Sequence, residues 1–206
     1  MKIALFGPSG SGKTTLAKFI AEEFGLVYIP GSSFSKLLTE SQKKDLRALG
    51  YKETGHREVI ALSHSNPKFG ELFQTYVLDR RAQLISREKM FVTDRSPIDN
   101  VVYYLMQTVT HITDESFTAR FIIEAMSAYQ GLTHTIFVPV CKEQKMVETN
   151  GSRIDDLRFQ RVVSAVFNHV QNEYFQDLGP ATFTVPTWNL DIRKDAVRDF
   201  LNQNLL

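Results

Sequence analysis

The sequence contains almost no cysteine, no long apolar run and no excess of charge of either sign. Its one cysteine, Cys141, cannot form a disulfide within the chain, which favours a reducing, cytoplasmic compartment. No run of about 18 apolar residues is present, and no stretch is typical of a signal peptide, so we expect no membrane segment. The formal net charge is +1, from 24 basic and 23 acidic residues, so no overall field attracts the protein to nucleic acid or an anionic membrane.

The length and composition indicate one soluble globular domain. The chain has 206 residues, of which 43% are apolar and 23% charged, so it can bury a sizeable core. No repeat or linker divides it, and we expect a single domain over 1–206 that is interrupted by a polar, lid-like segment at about 141–161. The five histidines and the lone cysteine show no spacing typical of a transition-metal site.

Short apolar segments alternate with segments of helical periodicity along the chain. The apolar segments are rich in branched and aromatic residues and predict five strands, at 2–6, 26–30, 89–94, 134–140 and 181–186. The periodic segments predict helices at about 13–24, 35–48, 56–63, 67–87, from 97 onwards, at 155–178 and at 193–205. This alternation is typical of an α/β fold, a three-layer sandwich in which a five-stranded parallel sheet carries helices on both faces.

The stretch GPSGSGKTT joins the first predicted strand to the first helix and completes the strand–GxxxxGK(S/T)–helix pattern. Glycines let successive backbone N–H groups surround an anion, and the following helix adds its positive dipole end. The lysine supplies a full charge to the terminal phosphates, and the threonine hydroxyl can bind Mg²⁺. We predict a nucleotide-phosphate site made of Gly7, Pro8, Ser9, Gly10, Ser11, Gly12, Lys13, Thr14 and Thr15. The alternative is a glycine-rich turn before an ordinary helix.

A second motif, FVTDRSPID, has a carboxylate where the third predicted strand ends. Asp94 closes that strand, at the edge where ligands bind in open α/β sheets. Phosphoryl transfer needs a metal-directing carboxylate and cations near the moving group, and Asp94 and Arg95 can provide them. Ser96 precedes Pro97 and is predicted to cap the next helix. In the alternative interpretation these residues only end the strand and cap the helix.

Arginines cluster around the polar, lid-like segment. Arg153 precedes the helix that follows this segment, and Arg158 and Arg161 share one face of that helix. Such a cluster is typical of a lid that closes over phosphates and excludes water, and Arg153 is its strongest member. The alternative for Arg158 and Arg161 is a solvated face, paired with Asp155 and Asp156.

Two further arginines, Arg80 and Arg81, lie late in the helix predicted for 67–87, ahead of Asp94. One of them can point towards the site of the phosphate acceptor. A solvent-facing basic pair is at least as good an interpretation.

Together these motifs resemble the P-loop kinases of nucleosides and nucleotides. The shared marks are the phosphate loop at 7–14, the strand-end TDRS at 93–96 and the arginine-bearing NGSR at 150–153. DRS is similar to the Asp/Glu-Arg-Ser signature of thymidylate kinases and deoxynucleoside kinases. NGSR and DRSPIDNVVYYL resemble the AAA-type ATPase/kinase family that includes the nicotinamide-riboside kinase domain, and phage-encoded nucleotide kinases have a similar layout.

The resemblance implies a phosphotransferase that uses ATP and Mg²⁺. Lys13 would contact the β- and γ-phosphates, Thr14 would ligate Mg²⁺, and Asp94 would orient the metal or its waters. Arg95 would hold the acceptor or the γ-phosphate, and Arg153 would close over the transferring group.

The adenine of nucleotide kinases rests on the loop after the final strand, which in this sequence is VPTWNLD at 185–191. Trp188 and Asn189 are therefore candidate adenine neighbours, and Arg158 is a further candidate for binding the nucleotide. Packing of Trp188 on the last helix is an equal alternative.

The sequence departs from the deoxynucleoside kinases after the second predicted strand. Those enzymes have a carboxylate there that takes the proton from the sugar hydroxyl, whereas YIPGSSFSK has none and the next acidic residue is Glu40. A phosphate acceptor needs no base, so we expect a (deoxy)nucleoside monophosphate. A nucleoside, nicotinamide riboside or a hydroxymethylated base in DNA is the alternative, with Asp94 or Asp99 as base. A nucleotide-dependent switch or ATPase is a third interpretation, and the sequence allows a homodimer.

Overall fold

A five-stranded parallel sheet forms the centre of the molecule. The computed structural model describes residues 1–31, 38–52, 56–108, 114–141 and 156–204. The strands are β1 (Lys2–Phe6), β2 (Val27–Ile29), β3 (Phe91–Thr93), β4 (His134–Phe137) and β5 (Ala181–Thr184). All neighbours are parallel, in the order β2-β3-β1-β4-β5. The predicted α/β class and the five parallel strands are confirmed, although most of the strands are shorter than predicted.

Helices connect the strands and cover both faces of the sheet. Those within the described ranges are α1 (Lys13–Phe24), α2 (Glu40–Ala48), α3 (His56–Ser65), α4 (Pro67–Arg87), α5 (Pro97–Thr108), α6 (Glu115–Gln130), α7 (Leu157–Val170) and α8 (Leu190–Gln203). One π-helical turn, Gln171–Phe175, continues directly from α7. In the part of the chain that the structure describes, no helix combines the length and the apolar character needed to cross a membrane.

The alternation of side chains along β1 divides the core into two layers. Ala4 and Phe6 pack towards α4, α5, α6 and α7, whereas Ile3 and Leu5 pack towards α1 and α8. All four side chains are completely buried. Because β1 lies between β3 and β4, the turns that follow β1 and β3 are neighbours at the carboxyl edge of the sheet.

Capping residues fix the ends of α1 and α4. The side-chain oxygen of Asn66 accepts a hydrogen bond from the amide of Phe69, and Pro67 takes the first position of α4. At the end of α1, Gly25 adopts a left-handed φ of 62° and donates its amide to the carbonyl oxygen of Ala21. The predicted bounds of both helices are confirmed.

The last helix begins three residues earlier than predicted. It starts at Leu190 rather than at Arg193, because Asn189 accepts hydrogen bonds from the amides of Asp191 and Ile192 and caps it. Asn189, a candidate adenine neighbour, therefore has a structural role at the start of α8.

Two other predicted helices also differ from the structure at their ends. The helix expected at 155–178 begins at Leu157, because Asp156 caps it, and its regular part ends at Val170, before the π-helical turn. The helix expected at 35–48 is described from Glu40, which follows the capping residue Thr39. Residues 32–37, and 142–155 of the predicted lid, lie outside the described residues.

Candidate active site

The loop between β1 and α1 has a backbone that glycine alone adopts without strain. Gly7, Gly10 and Gly12 have φ values of 136°, 79° and 96°. A Cβ atom at Gly7 would also lie less than 3.0 Å from the backbone oxygen of Val138, just beyond β4. The glycines therefore allow a tight main-chain cradle at the carboxyl end of β1.

Lys13 and Ser11 give this cradle its chemical character. Lys13 is only 5% exposed, and its Nζ donates to the backbone oxygens of Gly7 at 2.7 Å and Pro8 at 2.5 Å. The hydroxyl of Ser11 is buried and has no hydrogen-bond partner among the described residues. Gly12, the N-cap residue of α1, has no side chain that could cap the helix. An uncapped helix N-terminus, a buried hydroxyl without a partner and a nearby ammonium group all fit a bound phosphate chain.

Thr14 and Asp94, the two predicted magnesium ligands, are in direct contact. The hydroxyl of Thr14 donates to Oδ2 of Asp94 at 2.5 Å. The hydroxyl of Tyr28, on β2, donates to the same oxygen at 3.1 Å, and the amide of Gly31 donates to Oδ1 at 2.6 Å. The adjacency of β1, β3 and β2 in the sheet brings these groups together.

The hydrogen bonds to Asp94 keep it ionised, although it is only 2% exposed. Burial opposes the charged form, but the hydrogen bonds from Thr14, Gly31 and Tyr28 lower the pKa of the carboxyl below its ordinary value. The positive charge of Arg95 acts in the same direction. Burial and the nearby carboxylate raise the pKa of Tyr28, so its hydroxyl remains a donor. A carboxylate beside a hydroxyl offers the oxygen ligands that Mg²⁺ prefers, so these residues fit the metal.

Arg95 and Asp99 form an ion pair just beyond β3. Arg95 Nη1 donates to Asp99 Oδ1 at 2.8 Å, and the guanidinium lies 5.6 Å from the centre of the Tyr103 ring. The other carboxylate oxygen of Asp99 accepts the amide of Ser96 at 2.8 Å, and Ser96 Oγ accepts the amide of Ile98 at 3.1 Å. The prediction that Ser96 caps this helix is confirmed, and both oxygens of Asp99 are engaged in holding the turn.

The two arginines of α4 have different environments. Arg80 is half-buried and donates to the exposed side chain of Gln83. Arg81 is buried and donates to the backbone oxygen of Ser96 and to the side-chain oxygen of Asn100. Arg81 thus lies against the turn after β3, and the interpretation of both arginines as a solvent-facing pair is wrong. That Arg81 points towards a phosphate acceptor stays a prediction.

Arg81 and Arg95 line a small, mainly apolar cavity behind Gly31, with Ile29 and Phe91 among its walls. Burial lowers the pKa of Arg81 to about 10, which leaves it cationic at neutral pH. Its Nε is buried and has no hydrogen-bond partner among the residues described. The cavity therefore combines apolar walls with two cations.

Arg193 of α8 holds the loop after β5 against the phosphate loop. It is 2% exposed, and its Nη1 donates to the backbone oxygen of Ser11 at 2.6 Å. Its Nε donates to the backbone oxygen of Thr187, and its guanidinium lies 4.8 Å from the centre of the Trp188 ring. Trp188 therefore packs on the last helix, as one interpretation of the sequence predicted, and it does so beside the phosphate loop.

The start of α7 adjoins the phosphate loop, which is where the lid was predicted to end. The side-chain amide of Gln160 lies 3.5 Å from the position that a Cβ atom at Gly10 would take. Arg158 and Arg161 are exposed in the first turns of this helix. Arg153 lies outside the described residues, and its role stays a prediction.

Tyr28 and Arg193 belong to the site although no motif marks them. Arg193 precedes the buried Val197 and Leu201 at intervals of four, so an arginine on the apolar face of a helix is the signal that the sequence offers. Tyr28 offers no local signal, because only the pairing of β2 with β3 brings it to Asp94.

Comparison with known proteins identifies the family and the fold of the chain. The family model described as "AAA domain" matches residues 2–177 of the chain. The adenylate kinase of Clostridium kluyveri is 41% identical over 56 residues, which are 27% of this chain and 26% of that protein. The chain thus matches about a quarter of the length of its curated relatives.

Two solved structures share the fold over nearly the whole chain. Deoxyadenosine kinase from M. mycoides with bound dCTP superposes with a TM-score of 0.61 and 14% identity, covering 98% of this chain and 100% of that one. The YorR protein from Bacillus subtilis in complex with phosphorylated GDP gives a TM-score of 0.56 and 16% identity, covering 98% and 95%. These likenesses show the fold, and the resemblance drawn from the sequence is confirmed. The chain belongs to the AAA domain family and has the fold of the P-loop nucleotide kinases.

Proposed function

We propose that the chain is an ATP-dependent kinase whose acceptor is a (deoxy)nucleoside monophosphate. The observation that carries this proposal is the 2.5 Å contact between Thr14 and Asp94 at the rim of the glycine loop. A phosphate cradle with a hydroxyl and an ionised carboxylate at its rim is what ATP with Mg²⁺ requires. The family, the adenylate kinase relative and the deoxyadenosine kinase fold support the same class of reaction.

The phosphate loop and α1 would supply the donor site. The backbone amides at the start of α1 would surround the phosphates, and Lys13 would exchange its bonds to loop carbonyls for bonds to phosphate oxygens. Thr14 and Asp94 would hold Mg²⁺, which supplies charge neutralisation at the phosphate oxygens when it is bound. In the transfer, an acceptor oxygen forms a bond to the γ-phosphorus, the bond to the β–γ bridging oxygen breaks, and ADP leaves.

Among the residues that the structure describes, both carboxylates of the turn after β3 are engaged in hydrogen bonds, and this supports a phosphate acceptor. Asp94 accepts three hydrogen bonds, and Asp99 is engaged by Arg95 and a backbone amide. Neither is arranged to take a proton from a hydroxyl, whereas an acceptor phosphate is already ionised. The buried cation Arg81 at the adjoining cavity, whose Nε has no hydrogen-bond partner among the described residues, also favours an anionic acceptor.

A panel of acceptors tests the proposal. ADP formation from ATP and Mg²⁺ is measured with nucleoside monophosphates, nucleosides, nicotinamide riboside and DNA that contains a hydroxymethylated base. We expect one group of monophosphates to raise ADP formation far above the rate without acceptor, and the phosphorylated product to be a diphosphate. A nucleoside or DNA as the best acceptor would replace this proposal with hydroxyl transfer, and acceptor-independent hydrolysis would indicate a switch or ATPase.

Asp94→Asn tests the carboxylate at the rim of the loop. Loss of the charge that directs the metal is expected to lower kcat by about 100- to 1000-fold. Asp199→Asn, which changes an exposed carboxylate on α8, is the matched control and should leave kcat unchanged. Equal rates for Asp94→Asn and wild type would contradict the assignment.

Arg81→Gln tests the acceptor side. We expect the KM for the acceptor to rise by about tenfold or more, because a charge-assisted hydrogen bond is lost, while the KM for ATP changes little. Arg198→Gln removes an arginine from the surface of α8 and is the control. A rise confined to the KM for ATP would place Arg81 on the donor side and contradict the proposal.

A further inference from the structure

Arg193 makes contacts that no part of the proposed reaction requires. It is one of the most deeply buried cations described, and it projects from the face of α8 that also carries the buried Val197 and Leu201. Burial disfavours its charged form and lowers its pKa, so its position needs hydrogen bonds that offset this cost. Those bonds go to three separate segments: the backbone oxygens of Ser11 and Thr187 accept two of them, and the sulfur of Cys141, beyond β4, accepts a third at 3.7 Å.

Two neighbouring residues of the phosphate loop, Ser11 and Gly12, accommodate the guanidinium of Arg193. Arg193 Nη1 bonds the backbone oxygen of Ser11 at 2.6 Å, and it would lie 3.0 Å from a Cβ atom at Gly12. The glycine therefore leaves room for the guanidinium as well as adopting its left-handed φ of 96°. The guanidinium therefore lies against the loop at two consecutive residues.

The same guanidinium stacks against the ring of Trp188. Its centre lies 4.8 Å from the ring centre, and its Nε bonds the residue before the tryptophan. A planar group with donors on several edges can bond two carbonyls while one face stacks on an aromatic ring, which an ammonium cannot do. The arrangement depends on arginine in particular.

We infer that Arg193 is a positioning residue that couples the phosphate loop to Trp188, so that filling the loop with phosphate changes the surroundings of the indole ring. The inference rests on the proposed function, because it requires the loop to bind a polyphosphate. It makes the loop after β5 responsive to the phosphate chain without any contact between that chain and the indole.

The chain provides its own probe, because Trp188 is its single tryptophan. The ligand used is inorganic tripolyphosphate with Mg²⁺, which has no base that could touch the ring. Calorimetry measures binding, and tryptophan fluorescence at saturating ligand measures the coupling. In the wild type we expect both a binding heat and a change in fluorescence.

Arg193→Lys is the test variant and Arg198→Lys the matched control. Arg198 lies on the same helix, stacks over Phe19 at 5.4 Å and pairs with Glu23 and Asp195, which belong to α1 and α8. We expect Arg193→Lys to bind tripolyphosphate about 10- to 100-fold more weakly, because a charged hydrogen bond to the loop is lost. At saturation its fluorescence change should fall to a small fraction of the wild-type change, whereas the control keeps both.

The outcomes separate the inference from the proposed function. Binding heat without a fluorescence change in the wild type, or a full change in Arg193→Lys at saturation, overturns the coupling and leaves the kinase proposal intact. No binding of tripolyphosphate to the wild type overturns the inference, and the panel of acceptors with ATP then decides the kinase proposal separately. Should Arg193→Lys fail to fold, Gly12→Ala perturbs the guanidinium from the loop side and should alter Trp188 emission without ligand. Unaltered emission in that variant overturns the inference.

Discussion

Two strand-to-helix turns lie side by side at the carboxyl edge of the sheet. One is built from glycines and main-chain contacts, and the other from charged side chains. The turn after β1 has three glycines at positive φ and no acidic side chain, and the cations Lys13 and Arg193 bond its backbone oxygens. The turn after β3 has no glycine, and its side chains Asp94, Arg95 and Asp99 form its contacts. The main chain of the first turn forms a cradle that suits an anion. The second turn presents the carboxylate of Asp94, while Arg95 neutralises that of Asp99.

Gly7→Ala tests whether the main chain shapes the turn after β1, and it is the most damaging of the three substitutions. A Cβ atom there collides with the backbone of Val138 at a strained φ, so we expect a loss of about 3 kcal/mol or more in the free energy of unfolding. Binding of ATP, measured by calorimetry, should be lost. Gly25→Ala is the control, because its positive φ meets no atom within 4 Å, and it should cost about 1 kcal/mol and leave ATP affinity unchanged.

Asp99→Asn tests the turn after β3, because it removes the carboxylate that neutralises Arg95. It leaves Arg95 largely buried without its ion pair, so we expect a loss of about 3 kcal/mol in unfolding free energy by denaturant titration. The calorimetric affinity for ATP should change little. Asp195→Asn breaks an exposed pair with Arg198 and should have little effect on stability. Similar losses of unfolding free energy in Asp99→Asn and Asp195→Asn would show that the turn after β3 does not depend on the ion pair between Arg95 and Asp99.

The weakest of the three effects is the pH dependence of the stability that Asp94 contributes. The pKa of Asp94 is lowered on folding, so its charge stabilises the native state above the ordinary carboxyl pKa, about 3.9 in the unfolded chain. This contribution is lost as pH falls through the lower, folded pKa. The free energy of unfolding of the wild type minus that of Asp94→Asn, measured without metal, should be constant above about pH 5 and decrease below about pH 4. A difference independent of pH down to acid unfolding would contradict the lowered pKa.

Local chemistry explains which parts of the fold and the site the sequence predicts. The strand positions, the glycine loop, the Ser96 cap and the bounds of α1 and α4 depend on residues that are close together in the chain. Asn66 with Pro67 and Gly25 mark helix ends by their own preferences. These features were therefore predictable.

The contacts that complete the site depend on long-range pairing and were not predictable in the same way. Tyr28 reaches Asp94 only because β2 pairs with β3. Arg81 and Arg193 lie at core-facing positions of their helices, where periodicity alone predicts an apolar residue. A charged residue on an apolar stripe was the available signal, and its buried partners follow from the tertiary structure.

The central place of β1 in the sheet also determines how the molecule opens. Ile3 to Phe6 are completely buried, so their amides are expected to exchange with deuterium only when the whole domain unfolds. The edge strand β2, which carries Tyr28, has fewer neighbours and is expected to open locally at lower cost. The strand that carries Tyr28 can therefore open while β1 and the glycine loop that follows it stay formed. Any ligand that binds only the folded glycine loop would add its binding free energy to the stability of the entire domain.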